Sequence, residues 1–302
     1  MRRLPEDILV FERGWLSSNN TLLLGRDEAV LIDSGYLTHA PQTLAMVRHA
    51  LQGRPLTRLI NTHLHSDHCG GNALLQAHYG CHTAIPVHEA EKVRAWDQEQ
   101  LSFRATGQQC ERFTFDATIA PGDVLMLAGR EWQALGAPGH DPHSLIFYCP
   151  QEKLLLSADA LWENGFGVVF PELEGESGFA EERATLDLIA SLDVELVVPG
   201  HGAPFTDVQG ALARAWSRVD YLAADPLRNA QNALKVLMKF LLLERQRIAL
   251  AEVPEILAAL PVFHTTNERF LRQTPADTAA WLVRQLVRAG AAQIEGEHLL
   301  NS

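Results

Sequence analysis

A chain of 302 residues, 47% hydrophobic and 21% charged, is long enough to bury one large core and a smaller appended one. Its formal net charge of −12 excludes broad binding to nucleic acid or to an anionic membrane surface. The four cysteines, Cys69, Cys81, Cys110 and Cys149, show no CxxC spacing, and Met1-Arg2-Arg3-Leu4-Pro5-Glu6-Asp7 lacks the apolar run of a signal peptide. Apolar stretches such as 236–243 carry Lys239 and are too short to cross a bilayer, so the expectation is a cytoplasmic protein with reduced thiols.

In chain order, residues 8–11, 21–24 and 29–32 read as strands, with a hairpin turn at 25–28 and Asp33-Ser34-Gly35 ending the meander. Pro41 opens a helix over 43–51 with Leu44, Val47 and Leu51 on one face, and Gly53 closes it. Residues 56–61 form a buried strand, 72–79 a helix, 82–87 a strand and 88–97 a helix. The stretch 101–118 is weakly patterned and is expected to cover one face. Strands follow at 124–127, 132–135, 144–148 and 153–157, then a helix at 179–192 and a strand at 196–198. Strands on both sides of helical segments predict an α+β fold with two sheets between helices, an αββα layering.

Near Thr206 the composition changes. Residues 208–219, 226–246 and 252–260 are mainly helical, and Thr274 caps a further helix that runs to 289 and stops at Gly290. Residues 292–295 and 298–300 can pair as a hairpin around Gly296. Helix, helix, hairpin is a winged-helix-like order. A wing that grips phosphates should be basic, whereas Arg269, Arg272, Arg284 and Arg288 are matched by Glu252, Glu255, Glu268, Asp277, Glu295 and Glu297. The expected division is therefore a catalytic domain over 1–207 and a helical lid or dimerisation domain over 208–302.

Chemistry concentrates in Thr62-His63-Leu64-His65-Ser66-Asp67-His68-Cys69-Gly70-Gly71. Three imidazoles and a carboxylate within six residues, at a strand-to-helix turn, point to metal binding. In an extended segment His63 and His65 face the same side and can reach one ion, while Asp67 and His68 can face a second. Such a site needs partners elsewhere. The candidates are His140 after Pro138-Gly139, Asp159 in Ser157-Ala158-Asp159-Ala160, and His201 after Pro199-Gly200, each at the end of a predicted strand. Pro-Gly before each histidine makes a tight turn that aims the imidazole off the strand end. Five His and two Asp suffice for two ions of borderline hardness. Cys69 is expected to be small filler pointing away from the ions.

In this order and spacing, His63 to Gly71, Pro138-Gly139-His140-Asp141-Pro142-His143-Ser144, Ser157 to Ala160 and Pro199-Gly200-His201-Gly202 resemble the metallo-β-lactamase-fold hydrolase superfamily, nearest to its glyoxalase II-like members. The matched blocks cover residues 19–202. The resemblance implies the four-layer αββα sandwich with a dinuclear site at one edge of the sheets. It places His63, His65 and His140 on one metal, Asp67, His68 and His201 on the other, and Asp159 between them. Two divalent ions are implied, zinc by default, with iron or manganese in relatives. Two cations sharing a water lower its pKa enough to give a bridging hydroxide, and Asp67 or Asp159 orients that nucleophile as a catalytic carboxylate.

The expected function is thus dinuclear metal-dependent hydrolysis of a thioester, lactone or similar activated acyl substrate. One alternative is a mononuclear iron persulfide dioxygenase using His63, His65 and His140. Another is a nucleic-acid phosphodiesterase, suggested by the wing-like tail and opposed by the net charge. The partners expected are a small acyl molecule and a second copy of the chain, with no nucleic acid and no membrane. The glycine-hinged segment 161–171 starts beside the metals and passes over the cleft, so Trp162, Phe166 and Phe170 are expected to form an apolar pocket wall. His143 is expected at the same pocket.

Overall fold

The computed structural model describes residues 3–302; Met1 and Arg2, the first residues of the charged N-terminal stretch, lie outside the described residues. The N-terminal apolar runs pair as an antiparallel meander of β1 (Ile8–Phe11), β2 (Asn20–Leu24) and β3 (Ala29–Ile32), with Ile8 opposite Leu23 and Thr21 opposite Ile32. Helix α1 (Ala40–Leu51) then returns the chain so that β4 (Arg58–Ile60) joins β3 in parallel. Pro41 sits in the first turn, where its missing N–H is harmless, and Gln52 ends the helix in a left-handed conformation with φ 49°. Helices α2 (Ser66–Cys69) and α3 (Asn72–Tyr79) lead to the parallel strand β5 (His82–Pro86). After the short helices α4 (Ala90–Ala95) and α5 (Phe103–Thr106), β6 (Ala117–Ile119) completes a six-stranded sheet. The weakly patterned stretch thus ends in a strand, too short to show alternation.

The second sheet is the antiparallel run β7 (Val124–Leu127), β8 (Arg130–Gly136), β9 (Leu145–Cys149) and β10 (Leu154–Ala158). Helices α6 (Pro171–Glu174) and α7 (Phe179–Ser191) then carry the chain to β11 (Leu196–Pro199), parallel to β10. Val30, Ile32 and Ile60 of the first sheet meet Trp132, Phe147 and Leu156 of the second. On the outer face of the first sheet Leu31 and Leu59 pack on Val47 and Leu51 of α1 and Leu75 of α3. All four residues of β3 are therefore buried, which explains its unbroken apolar run. On the outer face of the second sheet Ile146, Leu155 and Val197 pack on Leu186 and Ile189 of α7. This is the αββα sandwich.

Helix α8 (Val208–Ala223) buries Ala211, Leu212, Ala215 and Val219 in that same outer layer. We propose a division between the two units after α8, where the expectation put it at 207/208; an amphipathic stripe reads the same whichever core it faces. The second core is built by α9 (Pro226–Arg245), β12 (Arg247–Ala249), α10 (Val253–Ala258), α11 (Pro261–Thr266), α12 (Pro275–Arg288), β13 (Ala292–Glu295) and β14 (His298–Asn301). Leu234, Leu237 and Leu241 of α9 meet Leu257, Phe263, Leu282 and Leu299 there. Thr274 caps α12, accepting from the Asp277 N–H at 3.1 Å. The terminal hairpin gains β12 as a third strand, in the order β12-β14-β13, so the winged-helix-like order holds.

Polar and apolar contacts seat this unit on the sandwich. Tyr36 donates from its hydroxyl to Glu244 at 3.1 Å, and Gln109 donates to the same carboxylate at 3.0 Å. Val168 and Leu173, from the segment after β10, bury themselves in the helical core. No helix among the described residues is long and apolar enough to cross a membrane.

Candidate metal centre

The seven sequence-predicted ligands come from four chain segments and meet at one edge of the sandwich. β4 runs into His63 and His65, and α2 turns Asp67 and His68 back toward them. His140, Asp159 and His201 follow β8, β10 and β11. His63 Nε2 lies 3.1 Å from His65 Nδ1, which lies 2.8 Å from His140 Nε2. His201 Nε2 lies 3.1 Å and His68 Nε2 3.8 Å from Asp67 Oδ2. Each trio offers ligand atoms within 4.8 Å of one another. Asp159 faces both: Oδ2 is 3.4 Å from His140 Nε2, and Oδ1 is 3.5 Å from His68 and 3.9 Å from His201.

The donor set fits two divalent cations. His68 Nδ1 is taken by Asp33 at 2.8 Å, while its buried Nε2 has no hydrogen-bond partner among the described residues and faces the cluster. His140 Nδ1 donates to the Val168 carbonyl at 2.6 Å, which leaves the Nε2 lone pair pointing inward. An all-nitrogen-and-oxygen set suits ions of borderline hardness.

Burial, together with neighbouring imidazoles, holds His63 well below its ordinary pKa and lowers His140 to about 4. Both rings are therefore neutral and able to ligate near neutral pH. Burial opposes ionisation of Asp67 and Asp159, but the surrounding histidines outweigh it and hold both below the usual carboxylate value. For His68 burial is outweighed by Asp33, Asp159 and Asp67, which together push its pKa well above normal.

Glycines allow this crowding. A Cβ at Gly167 would collide with the His140 ring, and one at Gly200 would collide with the Asp159 carboxylate and come within 3.0 Å of the Ala158 backbone. At Gly139, with φ 144°, it would lie 2.8 Å from Glu182 Cα. The Pro-Gly pairs thus serve close approach as well as turning.

An open cavity lies against the cluster. Trp162, Phe166 and Phe170 line it, and so do Val236 and Phe240 of α9. Trp162 also donates from Nε1 to Asp159 Oδ1 at 3.2 Å. His143 is a correction, because it does not line this cavity. Its backbone N–H closes the turn onto Asp141 at 2.8 Å, and the ring leaves toward Glu89 at 2.5 Å. Asp141 instead approaches the predicted ligand His65, at 3.7 Å. Cys69 is fully buried, with its thiol toward the Leu64 carbonyl and Cys110, away from the ligands.

Three participants were not singled out from sequence. Asp33, at φ 59°, accepts from the Thr62 N–H at 2.9 Å and the Thr62 hydroxyl at 2.8 Å, and it fixes His68. Its signal was available, as an acid ending a strand that neighbours β4. Trp15 stacks on His201 at 5.2 Å and 11° from a loop with no periodic signal. Glu182 lies beneath Gly139 with neither carboxyl oxygen hydrogen-bonded among the described residues, and burial drives its pKa well above normal.

Known proteins resemble the chain in sequence and in fold. The metallo-beta-lactamase superfamily model matches residues 13–201, well over half of the chain. A hydroxyacylglutathione hydrolase of Rhizobium etli is 25% identical over 177 residues, covering 58% of this chain and 57% of that protein. A second, from Rhizobium meliloti, is 29% identical over 119 residues, covering 39% of each. A thioesterase of Emericella nidulans is 29% identical over 202 residues, covering 66% of this chain and 50% of that one. The chain thus spans only 39% to 57% of the length of these curated relatives. Among solved structures, a metallo-beta-lactamase family protein from Thermus thermophilus matches with a TM-score of 0.57 at 20% identity, covering 99% of this chain and 100% of that one, a likeness of fold.

Proposed function

The chain belongs to the metallo-beta-lactamase superfamily, and from that premise we propose that it is a metal-dependent hydrolase of thioesters or similarly activated acyl compounds, working with two divalent ions, zinc by default. The observation that carries this reading is the convergence of two ligand trios on the two oxygens of Asp159 beside an apolar cavity. The chemistry supplied by such an ion pair is activation of water near neutral pH and polarisation of an acyl carbonyl. Asp67, held ionised and tied to His201 through Oδ2, leaves Oδ1 to accept a proton from the attacking water. Trp162, Phe170 and Phe240 exclude solvent and favour an apolar stretch in the substrate. The names of the relatives, hydroxyacylglutathione hydrolase and thioesterase, support an acyl thioester.

Elemental analysis beside a panel of thioesters, lactones, β-lactams and phosphodiesters tests the proposal. Two zinc-class ions per chain with thioester turnover is the expected result. One iron per chain with oxygen consumption would replace it by the dioxygenase reading.

Pocket and ligand-holding roles of Trp162 separate in a single substitution. Trp162→Phe keeps the aromatic wall but loses the donor to Asp159, so metal affinity should fall roughly tenfold while KM for apolar acyl substrates stays within about twofold of wild type. Equilibrium zinc titration and steady-state kinetics check the pair. Phe166 is unsuited to such a test. Its side chain is 1% exposed, and Phe166→Ala should cost about 3–5 kcal/mol of stability.

A further inference from the structure

The cavity contains a cation that the reaction just described does not use. Arg218, on α8, lines the wall beside Phe166, with its guanidinium 5.4 Å from that ring's centroid. Its stem lies against Gly165, where an added Cβ would come 3.1 Å from Arg218 Cδ. Nε is buried and has no hydrogen-bond partner among the described residues. Glu182 faces it from α7, yet no carboxylate among the described residues comes within the 4.0 Å of an ion pair. Asn232 of α9 lines the same cavity, and Lys235, one turn further along, is half-buried and likewise makes no ion pair among the described residues. Lys235 stands three residues after the cavity-lining Asn232 on α9, and burial, with the cation of Arg218 second, lowers its pKa. In a chain of net charge −12, a half-buried guanidinium faced by a carboxyl that burial drives toward its neutral form is costly unless an anion joins it.

We propose that Arg218, with Asn232 and Lys235, binds a carboxylate carried by the acyl part of the substrate, so that the acyl group is a short dicarboxylate with one end activated and the other free. This rests on the acyl-hydrolase reading above. Gly167 abuts His140 and Gly165 abuts Arg218, and Arg218, His140 and Asp159 line one cavity. The free carboxylate therefore sits in the same cavity as the scissile carbonyl. A planar guanidinium suits bidentate binding of that group, and Phe166 beneath it holds the plane.

Binding can be read without turnover. Isothermal titration of the zinc-loaded full chain with butyrate, succinate and glutarate should show at least tenfold tighter binding of one of the dicarboxylates. Arg218→Gln should bring that ratio near one, and Arg218→Lys should keep most of it. A ratio near one in the wild type overturns the proposal. So does an Arg218→Gln protein that weakens all three ligands equally, because a purely structural arginine would do that. If Arg218→Gln does not fold, Lys235→Gln supplies the test, and an unchanged ratio there counts against the subsite.

Thioester pairs locate the carboxylate. Succinyl should be preferred over butyryl on a neutral thiol, and Arg218→Gln should abolish the preference through KM. Loss of preference only for butyryl esters of a carboxylate-bearing thiol overturns the acyl placement. If no thioester is hydrolysed at all, the hydrolase reading fails, and the dicarboxylate ratio alone decides the subsite.

Discussion

His63→Ala should lose bound metal and hydrolysis together. The imidazole is 0% exposed and belongs to the trio with His65 and His140, and it also lies within ligand distance of His68 and Asp159. Its pKa is held far down by burial and by three neighbouring imidazoles, so at neutral pH it is an unprotonated donor that nothing else nearby replaces. The loss should exceed the roughly 10–100-fold that changes to outer hydrogen-bond partners of a metal site bring. Elemental analysis and turnover on the same preparation check this, with circular dichroism to show that the fold persists. Full metal content in a folded His63→Ala protein would show that the ring is not a ligand.

Gly200→Ala should be nearly as damaging while adding only one methyl group. The glycine is required for space, since the new Cβ would overlap the Asp159 carboxylate and meet the Ala158 backbone at 3.0 Å. That carboxylate is held by Trp162 Nε1 at 3.2 Å and faces His68 at 3.5 Å, and the backbone behind it is paired with β11. The group able to yield is therefore the one that faces both trios. Zinc affinity should fall by roughly 10–100-fold with a melting temperature near that of the wild type. Gly14→Ala is the control, because nothing lies within 4 Å of a Cβ there. Equal zinc affinity in Gly200→Ala and wild type would remove Asp159 from the metal shell.

Features carried by neighbours in sequence were readable, and features made by chain closure were not. His63, His65, Asp67 and His68 declare themselves within one short stretch, and the strand ends bearing His140, Asp159 and His201 carry Pro-Gly or small residues. The buried run of β3 and the stripes of α1 and α9 likewise gave the layers and the helical tail. β6 is three residues long and offers no period, and α8 has the same apolar stripe whether it faces the sandwich or the second core. His143 was misplaced because three residues of turn suffice to reverse a side chain, which here reaches Glu89. Trp15 reaches His201 across the whole sandwich domain, a contact with no local trace.

All seven proposed ligands lie between residues 63 and 201, whereas Asn232, Val236, Leu237 and Phe240, which also line the cavity, belong to one helix, α9. Part of the selectivity is thus written on a length of chain that carries none of the proposed ligands. Substitutions at Asn232, Val236 or Phe240 alter what the cavity admits while leaving every ligand in place. A lineage built this way can exchange substrates by drift along one helix, and an engineer can do the same by grafting that helix from a relative.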